Sequence, residues 1–381
     1  MQRDYITEEK KQNLKLLAEA IVFDLWSEGR SSFAAVYDEL CKLLWLQMLT
    51  MRDQISDILK ETSSVKGYYQ LVTKARPCQD FADSLMLDEN AIRNILLKLD
   101  RLAWLRLGFA ERLLFLCEID RLTCRAYTTL PEKNYDLSSA IGDAIIYTMD
   151  KARCRNVLCA TSDNYEFSAQ VVKRTKDIDF YGNCVICSPN KFQARNIRRI
   201  LLLTGAIRSS SDEVVASIES IKSNEIPFDC AFVNTLPLIQ PMRIVGDSRG
   251  FEARYLLMSR YFERLYEVLK PKGLVFSIIS RNFASSDHWK GLRNEIEKKF
   301  KIRAVISLPA GNAFSYGVGA LFITFMRREE EQGIDFSERV DVYIGRVNLS
   351  KTAKLAETEE GIKEVRDIFG RMGDFLARDI A

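Results

Sequence analysis

A chain of 381 residues is long enough for two domains, or for one large domain with an appended segment. Hydrophobic residues make up 47% and charged residues 28% of the composition, which predicts a packed globular core and argues against a disordered chain. The formal net charge of +3 is too small to indicate nucleic-acid binding by itself, so only local clusters of basic residues can indicate it.

Cysteine and histidine usage argues against several kinds of site. Nine cysteines, an odd number spread through apolar segments, predict reduced thiols and a cytoplasmic protein. Cys184 and Cys187 form a Cys-x-x-Cys pair inside an apparent strand, where this spacing directs the side chains to opposite faces, so we expect core thiols and no metal site. His288 is the single histidine, which argues against a His-based catalytic triad. We expect neither a signal peptide nor a membrane span.

The first third of the chain has the periodicity of helices. Apolar residues recur at helical spacing over 14–25 and 37–46, and 88–127 is rich in leucine and arginine. These arginines are either solvated residues with buried stems, or a basic face for nucleic acid or a partner subunit. We predict an α-helical N-terminal domain over residues 1–133.

Beyond Pro131, short apolar runs alternate with amphipathic helices. The predicted strands are Asn156–Ala160, Phe180–Cys187, Cys230–Val233, Gly273–Ile279, Ala304–Leu308, Ala320–Met326 and Val340–Ile344. The predicted helices are Phe192–Leu203, Arg254–Leu269 and His288–Phe300. This alternation predicts an α/β domain over 134–348, with a mostly parallel sheet and helices on both faces. Residues 349–381 predict a charged helical C-terminal tail.

Two connections in this domain have clear turn signals. Lys270-Pro271-Lys272-Gly273 predicts the end of a helix followed by a tight turn into a strand. A Gly-rich loop over 309–319 joins the strands Ala304–Leu308 and Ala320–Met326. We therefore predict that these two strands form an antiparallel pair at the end of the sheet.

One stretch of the chain carries a family resemblance. Residues 228–237 read Phe-Asp-Cys-Ala-Phe-Val-Asn-Thr-Leu-Pro, so a buried strand ends in Asn234. Downstream stand Val268-Leu269-Lys270-Pro271-Lys272-Gly273 and Ala304-Val305-Ile306-Ser307-Leu308-Pro309-Ala310-Gly311. This segment resembles the modification (M) subunits of type I restriction-modification systems, which are N6-adenine DNA methyltransferases. The resemblance covers most of the chain in order and is specific over 228–328. It implies a Rossmann-like class I methyltransferase fold.

The resemblance also implies S-adenosylmethionine as cofactor, held by a glycine-rich turn after the first strand. Glycines let the backbone approach the methionine group and adopt positive φ. The aligned residues 157–167 contain no glycine, and Cys159, Thr161 and Asp163 stand at the positions of the cofactor contacts. We expect the turn to be a poor site for a ligand that carries a carboxylate.

Two further cofactor contacts of the family are altered. The second strand of the family ends in an acid that binds the ribose hydroxyls, and the aligned residue here is Asn183. The nearest counterpart of a Thr-Pro element that precedes the first strand is Thr148. Both changes predict weaker cofactor binding.

The adenine site implied by the resemblance is incomplete as well. In the family, an Asn side chain and the carbonyl of the following proline accept the hydrogens of the target amino group, and an aromatic ring stacks on the flipped base. Asn234 supplies the first acceptor. Thr235 and Leu236 replace the two prolines, and Pro237 replaces the aromatic residue. The three losses together predict an inactive enzyme, for which no cofactor is expected.

Basic residues remain near the same implied groove. They are either solvated surface residues or phosphate contacts for DNA, and both interpretations stay open. We expect these residues on one helix, in the loop after Asn234, and after the fourth strand: Arg195, Arg198, Arg199, Arg243, Arg249, Arg254 and Arg281.

Three hypotheses follow for function. The first is a catalytically degenerate methyltransferase-like protein that serves as a DNA-binding or assembly subunit of a restriction-modification-like system. The second is a divergent but active adenine-specific DNA methyltransferase that uses S-adenosylmethionine. The third is a protein-interaction module without nucleic acid. The expected partners are DNA and specificity-type or other restriction-modification subunits, and a homo-oligomer is a further expectation.

Overall fold

A computed structural model describes residues 6–27, 33–50, 64–124, 139–160, 165–175, 183–187, 191–207, 214–215, 218–221, 227–235, 248–308, 320–330, 340–347 and 359–380. The chain divides into two compact units. The first consists of Met1–Glu132 with Arg195–Ser211, and the second of Lys133–Ala194 with Asp212–Ala381.

The first unit is helical in its described parts. Its helices are α1 (Glu8–Ser27), α2 (Phe33–Thr50), α3 (Val65–Ala75), α4 (Glu89–Leu102) and α5 (Phe109–Cys124). Short 3₁₀ turns lie at Gln79–Phe81 and Trp104–Arg106.

Helix α4 illustrates why these segments are helical. Asp88 caps its N-terminus, because one carboxylate oxygen accepts a hydrogen bond of 2.8 Å from the backbone N–H of Ala91. Ala103 follows its last turn with a left-handed φ of 48° and ends the helix. The buried residues lie three or four apart along one face: Ala91, Ile92, Ile95, Leu96, Leu99 and Leu102.

The second unit alternates strands and helices. Its helices are α6 (Ser139–Lys151), α7 (Tyr165–Thr175), the start of α8 (Lys191–Thr204), α9 (Ser248–Val268), α10 (Arg281–Ser285), α11 (Lys290–Lys299) and α12 (Glu359–Ile380). Its strands are β1 (Asn156–Cys159), β2 (Asn183–Cys187), β3 (Val214–Val215), β4 (Phe228–Asn234), β5 (Leu269–Ser280), β6 (Phe300–Leu308), β7 (Ala320–Arg327) and β8 (Tyr343–Arg346). From Arg195 onward, α8 belongs to the first unit.

The strands form one eight-stranded sheet in the order β3-β2-β1-β4-β5-β7-β6-β8. Strand β7 is antiparallel to both β5 and β6, and the other neighbours pair in parallel. The prediction of a mostly parallel sheet with an antiparallel strand toward its end is confirmed. We call the edge where the parallel strands finish the carboxyl edge. Its strand ends are Cys159, Cys187, Asn234, Ser280, Leu308 and Arg346.

Helices cover both faces of the sheet, as the side chains that alternate between the two faces of β7 show. The Phe322 ring lies 4.8 Å from the ring of Phe369 on α12. The Phe325 ring lies 5.7 Å from the ring of Phe262 on α9. Because residues an odd number apart on a strand point to opposite faces, α12 and α9 pack on opposite sides of the sheet.

Helix α12 is an integral part of the second unit. The hydroxyl of Thr148 on α6 donates a hydrogen bond of 3.1 Å to the backbone carbonyl of Phe369 on α12. The segment predicted as a separate tail, 349–381, therefore includes a helix that contributes to the core of this unit. None of the helices in the described part of the chain is long and apolar enough to cross a lipid bilayer.

The predicted tight turn lies within the first residues of β5, which begins at Leu269 and shifts its register with β4 between Phe228 and Cys230. Lys272 adopts a left-handed φ of 63°. A Cβ atom on Gly273 would lie 2.8 Å from the carbonyl oxygen of Lys270, closer than such atoms approach. Glycine is required there because a larger residue would clash with the backbone of β5 itself.

Some elements differ from their predicted bounds. The described part of β2 begins at Asn183, and the first residues of the predicted strand Phe180–Cys187 lie outside the described residues. Strand β8 is shifted toward the C-terminus of the predicted Val340–Ile344. The two-residue strand β3 at Val214–Val215 was not predicted, since so short an edge strand has no measurable periodicity.

Candidate functional site

The carboxyl end of β1 is where a class I methyltransferase sheet would meet its cofactor. The backbone N–H of Ala160 donates to the carbonyl of Phe232 at 2.9 Å, so β1 stays paired with β4 to its end. Cys159 is fully buried, with its sulfur 4.0 Å from the sulfur of Cys184. The side chain of Cys159 therefore faces the interior, and only its backbone could contact a ligand. Thr161 and Asp163 lie outside the described residues.

The structure corrects the placement of Asn183. This residue pairs with Asn156, the first residue of β1, and therefore lies at the start of β2. In the family, the acid that binds the ribose stands at the carboxyl edge, which here follows Cys187. Asn183 lies at the opposite end of the strand. Its side-chain amide donates to the Asn156 side chain at 3.3 Å. The residues that do follow β2, 188–190, lie outside the described residues.

Thr148 does not present its hydroxyl to a ligand. The residue is fully buried in α6, and its hydroxyl is directed to the carbonyls of Ala144, at 2.9 Å, and Phe369. The described structure uses this threonine to join two helices, so it is a poor counterpart of the family's cofactor contact.

The end of β4 has a different geometry from an Asn-Pro-Pro turn. Asn234 is 1% exposed and Thr235 is fully buried. The backbone N–H of Thr235 donates to the carbonyl of Ile278 on β5 at 3.0 Å, and its hydroxyl donates to the same oxygen at 2.8 Å. A proline at position 235 would have no N–H for this pairing. Pro237 lies outside the described residues.

An aromatic pair fills the interior beside these strand ends. Phe167 on α7 and Phe232 on β4 are both buried, with ring centroids 4.3 Å apart and planes tilted by 51°. Phe232 stands two residues before Asn234, so this packing supports the backbone that carries the asparagine.

Three arginines expected at a DNA surface are instead engaged within the helical unit. Arg195 pairs with Asp83, and Arg198 pairs with Asp80 at 2.9 Å. The acidic partners lie 112 and 118 residues away in the sequence, so no local pattern indicated them. The interpretation of these two side chains as free surface cations is therefore corrected.

Arg199 is the third of these arginines and is buried, at 1% exposed. Its Nη1 donates to Asp38 at 2.5 Å, its Nε donates to the carbonyl of Asp80 at 2.7 Å, and its guanidinium lies 5.3 Å from the centre of the Phe81 ring. Burial alone would raise the pKa of Asp38, but Arg199 and Lys42 outweigh it and hold that pKa below its usual range. A buried guanidinium in this position cannot contact a phosphate at the surface.

The remaining basic candidates lie in the second unit. Arg249 and Arg254 belong to α9, which begins at Ser248, and not to a loop after Asn234 as predicted. Arg243 lies outside the described residues. Arg281 is exposed at the carboxyl edge, where its Nη2 donates to the hydroxyl of Ser307 at 2.7 Å.

The cysteines of the second unit are core residues. Cys184 and Cys187 are each 1% exposed and point to opposite faces of β2. Burial, the largest cause, raises the pKa values of the Cys187 and Cys230 thiols, so both are protonated and unreactive at neutral pH. Within the described ranges, no group of three or more histidine, cysteine or acidic side chains could hold a metal ion.

The strand order, the single antiparallel strand and the helices on both faces define the fold of class I S-adenosylmethionine-dependent methyltransferases, and comparison with solved structures agrees. A candidate enzyme of that class from Listeria monocytogenes superposes with a TM-score of 0.59 at 11% identity, covering 95% of this chain and 100% of that chain. No family model and no curated protein matches this sequence.

Two further solved structures are type I modification proteins. The methyltransferase subunit of a type I restriction-modification system from Streptococcus thermophilus superposes with a TM-score of 0.54 at 9% identity, covering 95% of this chain and 93% of that chain. The modification subunit of a candidate type I restriction enzyme from Vibrio vulnificus gives a TM-score of 0.57 at 10% identity, covering 92% and 86%. These matches support the resemblance at the level of the fold.

Proposed function

We propose that this chain is a catalytically degenerate member of the modification-subunit class, which acts as a DNA-binding or assembly subunit of a restriction-modification-like system. The M-subunit structures with the same fold motivate the assignment to such a system. DNA, specificity-type subunits and other restriction-modification subunits are the proposed partners, and a homo-oligomer is a further proposal.

The observation that carries this proposal is the pairing of Thr235 with β5. In the family that the chain resembles, two acceptors at the end of this strand hold the target adenine: the asparagine side chain and the backbone carbonyl of the next residue. Here both donors of Thr235 are bound to the carbonyl of Ile278, so the chain stays in the sheet for one residue beyond Asn234. This pairing needs an N–H that proline lacks, so it supports the interpretation of Asn234 and Pro237 as remnants of the base site.

The cofactor site argues in the same direction. Only four residues, 161–164, connect the buried end of β1 at Ala160 to the start of α7 at Tyr165, and none of them is glycine. Side chains on every residue of so short a connection oppose the close backbone approach that the methionine group requires. Cys159 has its side chain in the interior, and Asp163 would bring a like charge toward the ligand carboxylate. The residues of this edge therefore do not fit S-adenosylmethionine.

Two other functions remain as alternatives. A divergent active adenine methyltransferase would need a rebuilt cofactor turn, with Cys159, Thr161 and Asp163 as its contacts. A protein-interaction module would need no nucleic acid at all. The exposed Arg281 at the carboxyl edge favours DNA binding over this last alternative.

Calorimetric titration with S-adenosylmethionine tests the loss of activity. We expect no binding heat and no shift of the thermal unfolding midpoint at millimolar ligand, because the turn after β1 lacks its glycines. S-adenosylhomocysteine serves as the second ligand. It lacks the sulfonium charge, and we expect it not to bind either, because it carries the same carboxylate. One-to-one binding of either ligand would contradict the degenerate assignment and favour the divergent enzyme.

A salt titration of DNA binding separates the DNA-binding subunit from the interaction module. We expect duplex DNA to bind with an affinity that falls linearly, on logarithmic axes, as salt increases, because each phosphate contact releases counterions with a slope of about 0.9 per contact. Fluorescence anisotropy of a labelled duplex measures this dependence. The absence of binding at low salt would favour the interaction module.

A further inference from the structure

Three residues lie near one another at the carboxyl edge, at the end of the sheet that is remote from β3. Arg281 follows the end of β5, and its Nη2 donates to the hydroxyl of Ser307 near the end of β6 at 2.7 Å. A guanidinium has five N–H donors, so most of those on Arg281 remain available. The Ser307 hydroxyl accepts this bond and keeps its own O–H for donation to another group.

Arg346 lies beside them at the end of β8. It is the register partner of Ser307 in the parallel pairing of β6 with β8. The preceding pair, Ile306 and Gly345, faces α12, because a Cβ on Gly345 would lie 3.2 Å from Ile306 and 3.0 Å from Ile368. Side chains alternate along strands, so Ser307 and Arg346 share the opposite face of the sheet.

Neither arginine of this cluster is held in an ion pair. In the part of the chain that the structure describes, neither Arg281 nor Arg346 forms an ion pair, whereas arginines elsewhere, such as Arg174 with Asp150, do so. Both residues are exposed. Two arginines that flank a serine hydroxyl on one face match the oxygens of a phosphate, which accept several hydrogen bonds and carry negative charge.

We propose that Arg281, Ser307 and Arg346 form a binding site for a backbone phosphate of nucleic acid. The inference rests on the proposed DNA binding and specifies where on the protein one phosphate is held. Two of the three residues, Ser307 and Arg346, have no signal in the sequence, since they come together only through the β6–β8 pairing.

Arg346 also borders a groove with a volume of ≈ 580 Å³ between β8 and α12. The other charged residues of its lining are Lys363, Arg371, Glu364 and Asp367. Because these acids would repel a phosphate backbone, the nucleic acid is expected to leave the protein at this point and not to follow the groove.

The test compares single variants in the salt titration of duplex DNA binding. Arg281→Ala and Arg346→Ala should each reduce the slope of log affinity against log salt by about 1. Ser307→Ala removes a hydrogen bond without a charge, so it should weaken binding by about two- to tenfold with little change of slope. Lys298→Ala is the matched control, because it removes one exposed positive charge at the end of α11, next to the start of β6 and the opposite edge of the sheet.

A probe without DNA separates this site from the proposed function. Tripolyphosphate, titrated into isotope-labelled protein, should shift the Nε–H resonances of Arg281 and Arg346, each assigned by its loss in the corresponding alanine variant. If those resonances shift but no DNA binds, the residues hold phosphate, but the proposed function and the assignment of the site to a DNA backbone are both wrong. If DNA binds and both arginine variants behave like Lys298→Ala, the phosphate site is wrong and the proposed function stands.

Discussion

Replacing Arg199 with alanine is expected to lower the free energy of unfolding of the helical unit by about 3–5 kcal/mol, the range for removal of one partner of a buried ion pair. The change leaves the Asp38 carboxylate without its hydrogen bond of 2.5 Å and the Asp80 carbonyl without one of 2.7 Å. Urea unfolding followed by tryptophan fluorescence measures the loss, since Trp45 stacks on Phe81 at 4.7 Å, next to the Arg199 guanidinium.

Arg195→Ala is the matched control on the same helix. Arg195 pairs with Asp83, and the two side chains are 29% and 61% exposed. The Nε of Arg195 also donates to the carbonyl of Asp80 at 3.1 Å. A pair of this kind contributes about 0–1 kcal/mol, so its removal should change stability little. Equal losses in the two variants would show that helix α8 is destabilised generally and that the buried position of Arg199 is not the cause.

Arg199→Ala should also change how the stability of the helical unit depends on acid pH. The folded-state pKa of Asp38 is below its ordinary value, so the stability it contributes is present above the unfolded pKa and is lost as pH falls through the folded pKa. Arg199→Ala removes a main cause of the lowered pKa. Stability measured by urea unfolding below about pH 4 should therefore fall less steeply in the variant than in the wild type. Parallel profiles would contradict this role for Asp38.

Phe232→Ala is expected to destabilise the second unit by about 3–5 kcal/mol, the range for truncation of a buried aromatic side chain. Phe232 is 1% exposed in the centre of β4, and its ring lies 4.3 Å from that of Phe167. Neighbouring backbone on β1 and β5 is held by the sheet, so the cavity cannot close fully. Urea unfolding followed by circular dichroism measures the loss.

Phe232→Leu provides the comparison for this prediction. Leucine retains much of the buried volume, so it should cost less than about 2 kcal/mol. If alanine and leucine destabilise the unit equally, loss of the ring contact with Phe167 would explain the effect better than the cavity. If neither destabilises it, the packing beside the end of β4 is less important than the structure indicates.

The part of the fold that could be predicted from the sequence is the part with strong local signals. The close approach at Gly273 was predicted because proline ends a helix and glycine permits tight geometry. The strand begins at Leu269, however, four residues before its predicted start. The antiparallel pairing of β6 with β7 followed from two apolar runs joined by a Gly-rich loop. The position of β7 between β5 and β6 was not predicted, because strand order depends on contacts between residues that are distant in the sequence.

Less of the candidate site could be predicted from the sequence. Asn183 was placed at the wrong end of β2, because an apolar run does not show where its hydrogen-bonded register begins. Arg195, Arg198 and Arg199 looked like a basic helix face because their acidic partners, Asp38, Asp80 and Asp83, are remote in the sequence.

By itself, the sequence determined most of the longer helices and strands, that residues 161–164 after β1 include no glycine, and that Asn234 is followed by threonine and not by proline. These properties depend on the identity and spacing of neighbouring residues. Only the tertiary structure decided which charges are exposed and which groups meet. It buried Arg199 against Asp38 and brought Arg281, Ser307 and Arg346 to one edge. The physical reason is that ion pairing and solvent exposure depend on distance in space, which the sheet register and helix packing set across long separations in the chain.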